Sequence, residues 1–579
     1  MESSRDQQHG MKVMVVGDSI SHGREGDWTW RYRIWEWFNE QDIPVSFVGP
    51  YGGTVPADEY EPPRPPPLAS EPDRPPPPFR TDGGYAAGVA PEFLDNSSHF
   101  AANGRQACQT KGLVAEQIAA YQPDFCFVEL GFNDLGWGKA SPSDTLASMK
   151  ELVDRARSVK PDLKFAIANV PHRTEIPGRE DLPLNTDIYN ALLARWIPGW
   201  SSPESPIGLV RFCENYSCGG TNSEAAYDGL HPNALGEYQL AQAFSRTLIS
   251  AFFIGRRELA IPEDIPPRPL PTPSNIKAVS GLCGIVVTWD AVYGAFAYDL
   301  RKRTANLPSW DSCRVACNRY DSQHTDRWTW EYQVRASGGG RVKSPWSSVV
   351  SAVANPQTAQ PPSSIVTHAT PTGLTVSWTP PDGPFAGDID RYGVITFDYN
   401  QPGVFPSVIG VRAEQAEING LVPGHCYAVA VETWTSIGRG PPATARSVMV
   451  GRGKPSIRGV HAVAIDERVA EIRWLTHPDA AGYRIWCRLK DSASSEASNQ
   501  EFSICSQDCQ LDGLVLGPDE EFALRYTFYD GPSWDHQFAV AAFNGSDMSR
   551  SEWVDVPRIE PGDMCLKKGD SVHINIRYG

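Results

Sequence analysis

The sequence predicts two fold classes in one chain: an α/β domain built on a parallel sheet, followed by several all-β sandwiches. Up to about residue 258, short apolar runs of strand length alternate with segments that have helical spacing. Such alternation is typical of a parallel sheet covered by helices on both faces. Beyond a proline-rich stretch, short strands, turn residues and regularly placed aromatic residues favour antiparallel sheets.

Five strands and four helices carry the prediction for the first part of the chain. Ser141-Pro142 suits the start of one helix, because serine caps a helix and proline is tolerated at its first position. The order of the elements predicts a three-layer, flavodoxin-like sheet, in which ligands bind at the carboxyl ends of the strands. The predicted strands are 12–16, 45–48, 125–130, 165–170 and 209–212, and the predicted helices are 30–38, the segment after Ser141, 185–196 and 233–252.

Three units of about 90–100 residues follow, a length typical of small β-sandwiches. Each has a tryptophan in an early strand and a tyrosine shortly after it: Trp289/Tyr298, Trp378/Tyr392 and Trp474/Tyr483. The middle unit also contains L-x-P-G-x-x-Y, from Leu421 to Tyr427. This segment resembles the tyrosine corner of fibronectin type III domains, in which the tyrosine hydroxyl ties a strand to the preceding turn.

The domain organisation follows from these changes in composition. We predict an α/β domain at 1–258, a proline-rich linker at 259–273, fibronectin type III-like sandwiches at 274–356, 360–451 and 454–560, and a C-terminal tail at 561–579. A proline-rich insertion at 56–83 interrupts the α/β domain, because proline at this density can continue neither a helix nor a sheet. It is interpreted as a surface insertion, with a semi-rigid flap beside the active site and an SH3-type ligand as alternatives.

Charge and hydropathy exclude two classes of partner. The chain has 52 basic and 69 acidic residues and a formal net charge of −17, whereas a nucleic-acid-binding protein needs a basic face. It contains no run of 18 apolar residues, so no membrane span is predicted.

The compartment is left open by the sequence. The first ten residues are polar and do not form a signal peptide, which favours an intracellular protein by default. Secretion is the alternative, since there are three glycosylation sequons and three close cysteine pairs, which are either short-loop disulfides or free thiols. The sequons are at Asn96, Asn215 and Asn544, and the pairs are Cys213/Cys218, Cys313/Cys317 and Cys505/Cys509.

Four short segments carry the chemistry, each at the boundary of a predicted element. They are Gly17-Asp18-Ser19, Ala102-Asn103-Gly104-Arg105, Gly131-Phe132-Asn133-Asp134 and Asp228-Gly229-Leu230-His231-Pro232-Asn233. Each segment alone is weak evidence, but their order is specific. Together they resemble the four blocks of the SGNH (GDSL-type) hydrolases, and the resemblance covers residues 11 to about 255.

The resemblance implies a role for each matching position. Ser19 is the expected nucleophile, His231 its general base and Asp228 the acid that orients the imidazole. The backbone N–H groups of Ser19 and Gly104 and the side-chain amide of Asn133 are the expected oxyanion-hole donors. Asp134 is interpreted as a turn-capping carboxylate.

These residue types suit that chemistry. A serine hydroxyl is a poor nucleophile until a base removes its proton, and the base must be held in one orientation. Developing negative charge needs preorganised donors, each worth roughly 10²–10³ in rate. This chemistry requires neither a metal nor a cofactor, and none is predicted.

The substrate is the least determined part of the prediction. The segments KVMVVGDSISHG and VSFVGP resemble the carbohydrate esterase branch that includes acetyl xylan esterases. We therefore expect a carboxylic ester hydrolase that acts on short-chain acyl esters, acetyl above all, of a carbohydrate or another small alcohol. His22 and Trp137 are candidates for lining its substrate pocket, although packing roles are equally open for both.

Two further interpretations remain open. The first is an acyltransferase or a lipid or thioester hydrolase that uses the same three residues. The second, from another class, is an adhesion or binding protein whose SGNH domain is a non-catalytic scaffold. In either case the sandwiches are spacers or contact glycans or proteins.

Overall fold

A parallel sheet forms the centre of the α/β domain, as predicted, with six strands where the sequence predicts five. β1 (Met11–Gly17) lies in the middle, because its apolar run is buried on both faces. On one side it pairs with β2 (Val45–Phe47) and β3 (Phe100–Ala101). On the other side follow, in order, β4 (Phe125–Glu129), β5 (Lys164–Ala168) and β6 (Ile207–Val210).

The helices pack in two groups. One joins α2 to α9, where Trp30 stacks on Phe244 with ring centroids 4.6 Å apart; the other joins α4 to α6 and α6 to α7. The Ser141 hydroxyl accepts the Asp144 N–H at 3.2 Å and caps α6, as the sequence indicates. The helices are α1 (Ser19–His22), α2 (Trp30–Glu40), α3 (Pro91–Leu94), α4 (Ala107–Tyr121), α5 (Phe132–Gly136), α6 (Pro142–Val159), α7 (Leu182–Trp200), α8 (Phe212–Asn215) and α9 (Ala234–Phe252).

The computed structural model describes residues 10–72, 79–323, 327–340, 342–401, 405–490, 500–505, 521–528, 531–558 and 573–575. Within these ranges, no helix combines the length and the apolar character that crossing a membrane demands.

Three pairs of mainly antiparallel sheets follow the α/β domain, which confirms the all-β prediction for this half. The first pair consists of the sheets β10-β9-β12-β13 and β11-β8-β7. Its strands are β7 (Lys277–Ser280), β8 (Ile285–Thr288), β9 (Ala297–Thr304), β10 (Asp311–Val315), β11 (Arg319–Asp321), β12 (Thr329–Ser337) and β13 (Val350–Val353).

The second pair consists of β14-β15-β18 and of β17-β16-β19-β20 with β21 and β22. Its strands are β14 (Ser363–Thr370), β15 (Gly373–Thr379), β16 (Ile389–Asp398), β17 (Ser407–Val411), β18 (Gln415–Asn419), β19 (Cys426–Thr435), β20 (Gly438–Arg439), β21 (Ala443–Thr444) and β22 (Val448–Met449).

The third pair consists of β23-β24-β27-β31, in which β31 runs parallel to β27, and of β26-β25-β28-β29 with β30. Its strands are β23 (Arg458–Ala464), β24 (Val469–Leu475), β25 (Gly482–Leu489), β26 (Gln500–Cys505), β27 (Glu521–Thr527), β28 (His536–Asn544), β29 (Asp547–Arg550), β30 (Val554–Asp555) and β31 (His573–Asn575). β31 lies within the predicted C-terminal tail.

The repeated tryptophan and tyrosine meet in the core of every sandwich. Their ring centroids are 5.2 Å apart for Trp289/Tyr298, 5.1 Å for Trp378/Tyr392 and 5.4 Å for Trp474/Tyr483. In the middle sandwich the Val422 N–H also donates to the Tyr427 hydroxyl at 3.0 Å. This is the bond that the sequence predicts for a tyrosine corner.

The chain divides into two compact units. The first contains the described parts of Met1–Glu61, Pro76–Ser280 and Gly284–Ala354, and so unites the α/β domain with the first sandwich. The second contains the described parts of Pro62–Pro75, Gly281–Cys283 and Asn355–Gly579. The domain bounds given above remain a prediction.

Part of the proline-rich insertion belongs to the second unit. There the Pro67 carbonyl accepts the Gly410 N–H at 3.0 Å, and Leu68 forms a parallel bridge to Gly410. The Arg391 guanidinium donates to the Pro66 carbonyl and to the Glu71 carboxylate, each at 3.0 Å. The described part of 62–75 is thus held against the middle sandwich by backbone and ionic contacts.

The structure describes two of the three close cysteine pairs. Cys213, Cys218, Cys313 and Cys317 carry free thiols in the structure. The third pair, Cys505/Cys509, lies outside the described side chains.

We predict that Tyr427→Phe weakens the middle sandwich by about 1 kcal/mol, the usual net value of one hydrogen bond. Amide hydrogen exchange in β19 and β22 of the full chain measures this loss as reduced protection. Val422→Ala is the control, because it keeps the N–H donor and trims a side chain that is 44% exposed. Equal protection in Tyr427→Phe and wild type would contradict the role of the hydroxyl.

Candidate active site

Ser19 lies directly beyond the carboxyl end of β1, at the first residue of α1. The Asp18 carboxylate turns the chain here, because its Oδ1 accepts the Ile20 N–H at 2.9 Å. Gly17 has no room for a side chain, since a Cβ would lie 2.4 Å from that of Ser21. Ser19 itself is only partly buried, so its hydroxyl stands at the sheet edge where ligands of parallel sheets bind.

His231 brings its imidazole to Ser19 from the loop before α9. Its Nε2 lies 2.9 Å from the Ser19 Oγ, and its Nδ1 lies 2.7 Å from the Asp228 Oδ2. The second Asp228 oxygen accepts the N–H groups of Leu230 and His231 at 3.1 and 2.9 Å. One carboxylate therefore fixes both the ring and the backbone of this loop, and the three predicted catalytic residues form one hydrogen-bonded chain.

The electrostatics of Asp228 keep it ionised. Burial alone would raise its pKa, but the hydrogen bond and charge of His231 and two backbone N–H groups lower the pKa to about 2. The carboxylate is thus anionic at any pH near neutrality. An anion at this position holds the proton of the imidazole on Nδ1, which leaves Nε2 free to accept the Ser19 proton.

Two backbone donors face the same edge of the sheet. Gly104 has a φ of +72° and open space where a Cβ would stand. Among the hydrogen bonds of the described residues, neither the Ser19 nor the Gly104 N–H has a protein acceptor. Both donors are thus available to an oxyanion.

Asn133 is the third predicted donor, at the start of α5. Its Nδ2 lies 3.1 Å from the Asp18 Oδ2 and 3.1 Å from the Arg105 carbonyl, and its Oδ1 accepts the Trp137 indole N–H at 2.8 Å. Every polar atom of the amide therefore has a partner, which fixes its orientation. Donation to an oxyanion requires one of the two amide hydrogens to be shared.

A buried pair of acids, Asp18 and Glu129, lies beneath this site. Glu129 ends β4, and its Oε2 accepts the Ser21 hydroxyl at 2.9 Å. Burial raises the pKa of Glu129 to about 7. Burial and the neighbouring Glu129 also raise the pKa of Asp18. The pair therefore retains a proton where isolated carboxyl groups would both be ionised.

Sequence reasoning missed Glu129, although a signal was present. It is a charged residue at the end of an otherwise apolar buried strand, four positions before Asn133. Tyr227, directly before Asp228, was also missed; its ring stacks on His231 with centroids 5.6 Å apart.

Asp134 caps a helix other than its own. Its carboxylate accepts the N–H groups of Ala107 and Cys108 at 2.7 and 3.1 Å, and so satisfies the first turn of α4. Because Asp134 is fully buried, this cap fixes α4 to the start of α5. The side chain thus acts as a capping carboxylate.

His22 and Trp137, the predicted pocket residues, have different surroundings. His22 is fully buried beside the rings of His99 and Phe79, and burial lowers the pKa of its imidazole to about 3, so the ring is neutral. Trp137 is 59% exposed and is attached to the site through its bond to Asn133. Within the described part of the chain, neither side chain forms a hydrogen bond or ring contact with Ser19 or His231.

A cleft of about 580 Å³ adjoins the proposed catalytic loop, the segment between Tyr227 and α9 that carries Asp228 and His231. Its wall includes Thr174, whose N–H donates to the Gly229 carbonyl at 2.9 Å, and Phe132, the neighbour of Asn133. Arg173, Glu175 and Glu180 also line it. The lining of the cleft thus contains both apolar and charged side chains.

Metal ligands are not assembled here. Within the ranges that the structure describes, no three His, Cys, Asp or Glu side chains are grouped as a metal site. Asp18 and Glu129 instead accept hydrogen bonds from Ile20, Ser21 and Asn133.

Curated proteins match a short stretch of the chain. A stretch of 128 residues is 30% identical to Receptor-type tyrosine-protein phosphatase F of Bos taurus and of Homo sapiens, and covers 21% of this chain. A stretch of 146 residues is 29% identical to Tyrosine-protein phosphatase Lar of Drosophila melanogaster and covers 24% of this chain. The chain spans about 7% of the length of these relatives.

Solved structures resemble separate parts of the chain. A carbohydrate esterase family 3 protein from Talaromyces cellulolyticus is 20% identical, covers 41% of this chain and 96% of its own, and has a TM-score of 0.31. The family 3 carbohydrate esterase of Clostridium thermocellum is 17% identical over 42% and 96%, with a TM-score of 0.29. The FN1-FN3 domains of chicken CNTN1 are 16% identical over 50% and 98%, with a TM-score of 0.17.

Two family models match the chain directly. Residues 69–238 match the GDSL-like Lipase/Acylhydrolase family, a range that includes Gly104, Asn133, Asp228 and His231 and begins after Ser19. Residues 359–449 match the fibronectin type III domain. The chain is therefore similar to the GDSL-like Lipase/Acylhydrolase family over residues 69–238 and to the fibronectin type III domain over residues 359–449.

Proposed function

We propose that this chain is a serine esterase that removes short acyl groups, acetyl above all, from a carbohydrate or another hydroxyl-rich alcohol. The observation that carries the proposal is the hydrogen-bonded chain from Ser19 through His231 to Asp228, with distances of 2.9 and 2.7 Å. This arrangement is what a serine needs to become a nucleophile near neutral pH. The match of residues 69–238 to an acylhydrolase family supports the same reaction class.

The reaction proceeds in two steps. In the first, the Ser19 Oγ attacks the ester carbonyl while His231 takes its proton, and the tetrahedral intermediate collapses as His231 gives that proton to the leaving alcohol. In the second, water attacks the acyl-enzyme, and His231 again accepts and returns a proton. Asp228 stays ionised and stabilises the imidazolium in both steps.

The oxyanion is the negatively charged oxygen of the tetrahedral intermediates. Its donors would be the N–H groups of Ser19 and Gly104, which have no acceptor among the described residues, and the Asn133 amide, which shares a hydrogen now bound by Asp18 or the Arg105 carbonyl. Donors fixed in advance need no reorganisation during the reaction, which is why they accelerate it.

Charged side chains of the adjoining cleft favour a hydroxyl-rich alcohol. Arg173, Glu175 and Glu180 can exchange hydrogen bonds with sugar hydroxyls. The same acyl-enzyme also serves transfer to an alcohol instead of water, so the acceptor is decided by experiment.

We predict that Ser19→Ala abolishes ester hydrolysis, because the acyl-enzyme cannot form without the hydroxyl. Hydrolysis of p-nitrophenyl acetate, butyrate and octanoate, and acetate release from acetylated xylan, measure it. Activity in the wild type should fall with chain length. Ser158→Ala, which removes an exposed hydroxyl on α6, is the matched control and should retain full activity. Turnover by folded Ser19→Ala at the wild-type rate would refute the proposed nucleophile.

We predict that Asn133→Ala lowers kcat by roughly 10²–10³ with p-nitrophenyl acetate, the usual effect of losing one oxyanion donor. KM should change little, because the donor acts mainly on the charge that develops in the transition state. An unchanged kcat would show that the amide only positions Asp18 and Trp137.

A pH dependence follows from the buried acids. Glu129 keeps its proton to about pH 7 in the folded chain but loses it near 4.5 when unfolded. The folded state thus binds more protons between these values, and its stability falls as pH rises through this window. We predict that Glu129→Gln flattens this decline, measured by calorimetry from pH 4.5 to 8.

The control for this experiment is Glu116→Gln on the exposed face of α4, which should reproduce the wild-type slope. A wild-type slope that persists unchanged in Glu129→Gln would assign the titration to other groups, Asp18 first among them.

A further inference from the structure

Tyr227 lies between the catalytic histidine and the first β-sandwich. Its ring stacks on His231 with centroids 5.6 Å apart and planes 18° apart. Its other neighbour is Phe296, directly before β9, with centroids 3.9 Å apart and planes 25° apart. Three aromatic rings thus form a continuous stack from the sandwich to the proposed general base.

The backbone of Tyr227 is tied to both sides as well. Its N–H donates to the His231 carbonyl at 3.0 Å, which closes the loop that contains Asp228. Its carbonyl accepts the N–H of Gly340, in the turn after β12, at 3.0 Å. The preceding residue, Ala226, forms an antiparallel bridge to Pro232. The catalytic loop is therefore anchored to the sandwich through one residue.

Arginines surround the junction. Arg268, in the proline-rich linker, pairs with the buried Asp27 and donates to the Gly294 carbonyl at 2.7 Å. Its guanidinium also lies 4.3 Å from the centre of the Phe296 ring. The Arg24 guanidinium lies 5.9 Å from the centre of the same ring.

The backbones of the α/β domain and the first sandwich lie close together at this junction. A Cβ at Gly339 would lie 2.3 Å from the Tyr227 Cβ, and one at Gly26 would lie 2.5 Å from the Gly294 Cα. The Tyr293 hydroxyl adds a bond to the Tyr85 carbonyl at 2.6 Å. Such contacts leave little freedom between the first sandwich and the α/β domain.

We propose that the first β-sandwich contributes to the activity of the esterase. In this proposal Phe296 acts through Tyr227 to position the loop that carries Asp228 and His231. Tyr227 and Phe296 are positioning residues: they touch the base or its loop, and no substrate atom. The inference rests on the proposed function, because it assigns a role in the reaction of Ser19. It gives the first sandwich a task other than spacing or ligand capture.

Proton transfer from Ser19 to His231 tolerates only a small displacement of either side chain. Ser19 and His231 must stay within hydrogen-bond distance, and a displacement of about 1 Å can cost roughly 10²-fold in rate. The loop carries Gly229, with a φ of +84°, and has neither helix nor strand of its own between Tyr227 and α9. Asp228 shapes the loop from within, and packing from outside sets where the loop places His231 relative to Ser19.

The test uses the full chain with Phe296→Leu, which keeps an apolar side chain but removes the ring. We expect kcat for p-nitrophenyl acetate to fall by at least about tenfold, with KM within about twofold, at temperatures well below the unfolding transition. Gly339→Ala reaches the same tyrosine from the sandwich side, and we expect the same split between kcat and KM. Leu307→Ala, an exposed position on the first sandwich, is the control and should match the wild type.

A second measurement separates positioning from general loss of structure. Phenylmethanesulfonyl fluoride sulfonylates an activated serine: the Ser19 oxygen bonds to sulfur, fluoride leaves, and His231 takes the proton. Its rate should fall in Phe296→Leu in proportion to kcat, while calorimetry shows folded protein. Wild-type kcat and labelling rates in folded Phe296→Leu and Gly339→Ala would overturn the inference, as would losses no larger than the unfolded fraction.

These outcomes are distinct from failure of the proposed function itself. If the wild type hydrolysed no ester but Ser19 were still labelled, the labelling rates alone would decide the role of Phe296. If Ser19→Ala kept full activity, the proposed function would fail whatever the Phe296 variants did.

Discussion

The hydrogen bond between Ser19 and His231 is the contact that requires the whole α/β domain to be folded. It joins residues 212 positions apart in the sequence, so the whole sheet must form before it exists. β1 delivers Ser19 at its carboxyl end, and α9 supports the loop of His231 through the Asn233 cap, whose Oδ1 accepts the N–H groups of Leu235 and Gly236. Local turns fix each partner, and long-range packing, including that of α9 against the sheet, sets their distance.

Burying two acidic side chains at this edge of the sheet has an electrostatic cost. Asp18 holds the Ser19 turn and the Asn133 amide through its two oxygens, so it cannot be replaced by an apolar residue without losing both. Because it is fully buried and lies next to Glu129, its charge is not solvated. A shared proton relieves the repulsion between the two acids. The orientation of the proposed oxyanion donor is thus linked to a protonation state that lies two side chains away.

The sequence contains the fold class and the order of the catalytic segments because both are local. Strands such as Phe125–Glu129 are apolar runs that end in one charged residue, and Asp228 reaches His231 within one loop. The interactions that were not predicted are long-range. Ser21 and Glu129 are 108 positions apart, and no periodicity relates them. For the same reason, the sequence did not reveal that part of the proline-rich insertion pairs with Gly410.

Tyr227 shows why the role of a residue cannot always be inferred from its position in the sequence. In the sequence, Tyr227 is one of 20 tyrosines and has no motif of its own. In the structure it is the point where the loop of Asp228 and His231 meets the first β-sandwich, through the ring of Phe296 and the N–H of Gly340. A loop that must hold a base within a fraction of an ångström gains precision from a packed neighbour, and here that neighbour comes from the domain that follows. Domains that look like separate modules in the sequence can therefore share one catalytic task when a single aromatic stack connects them.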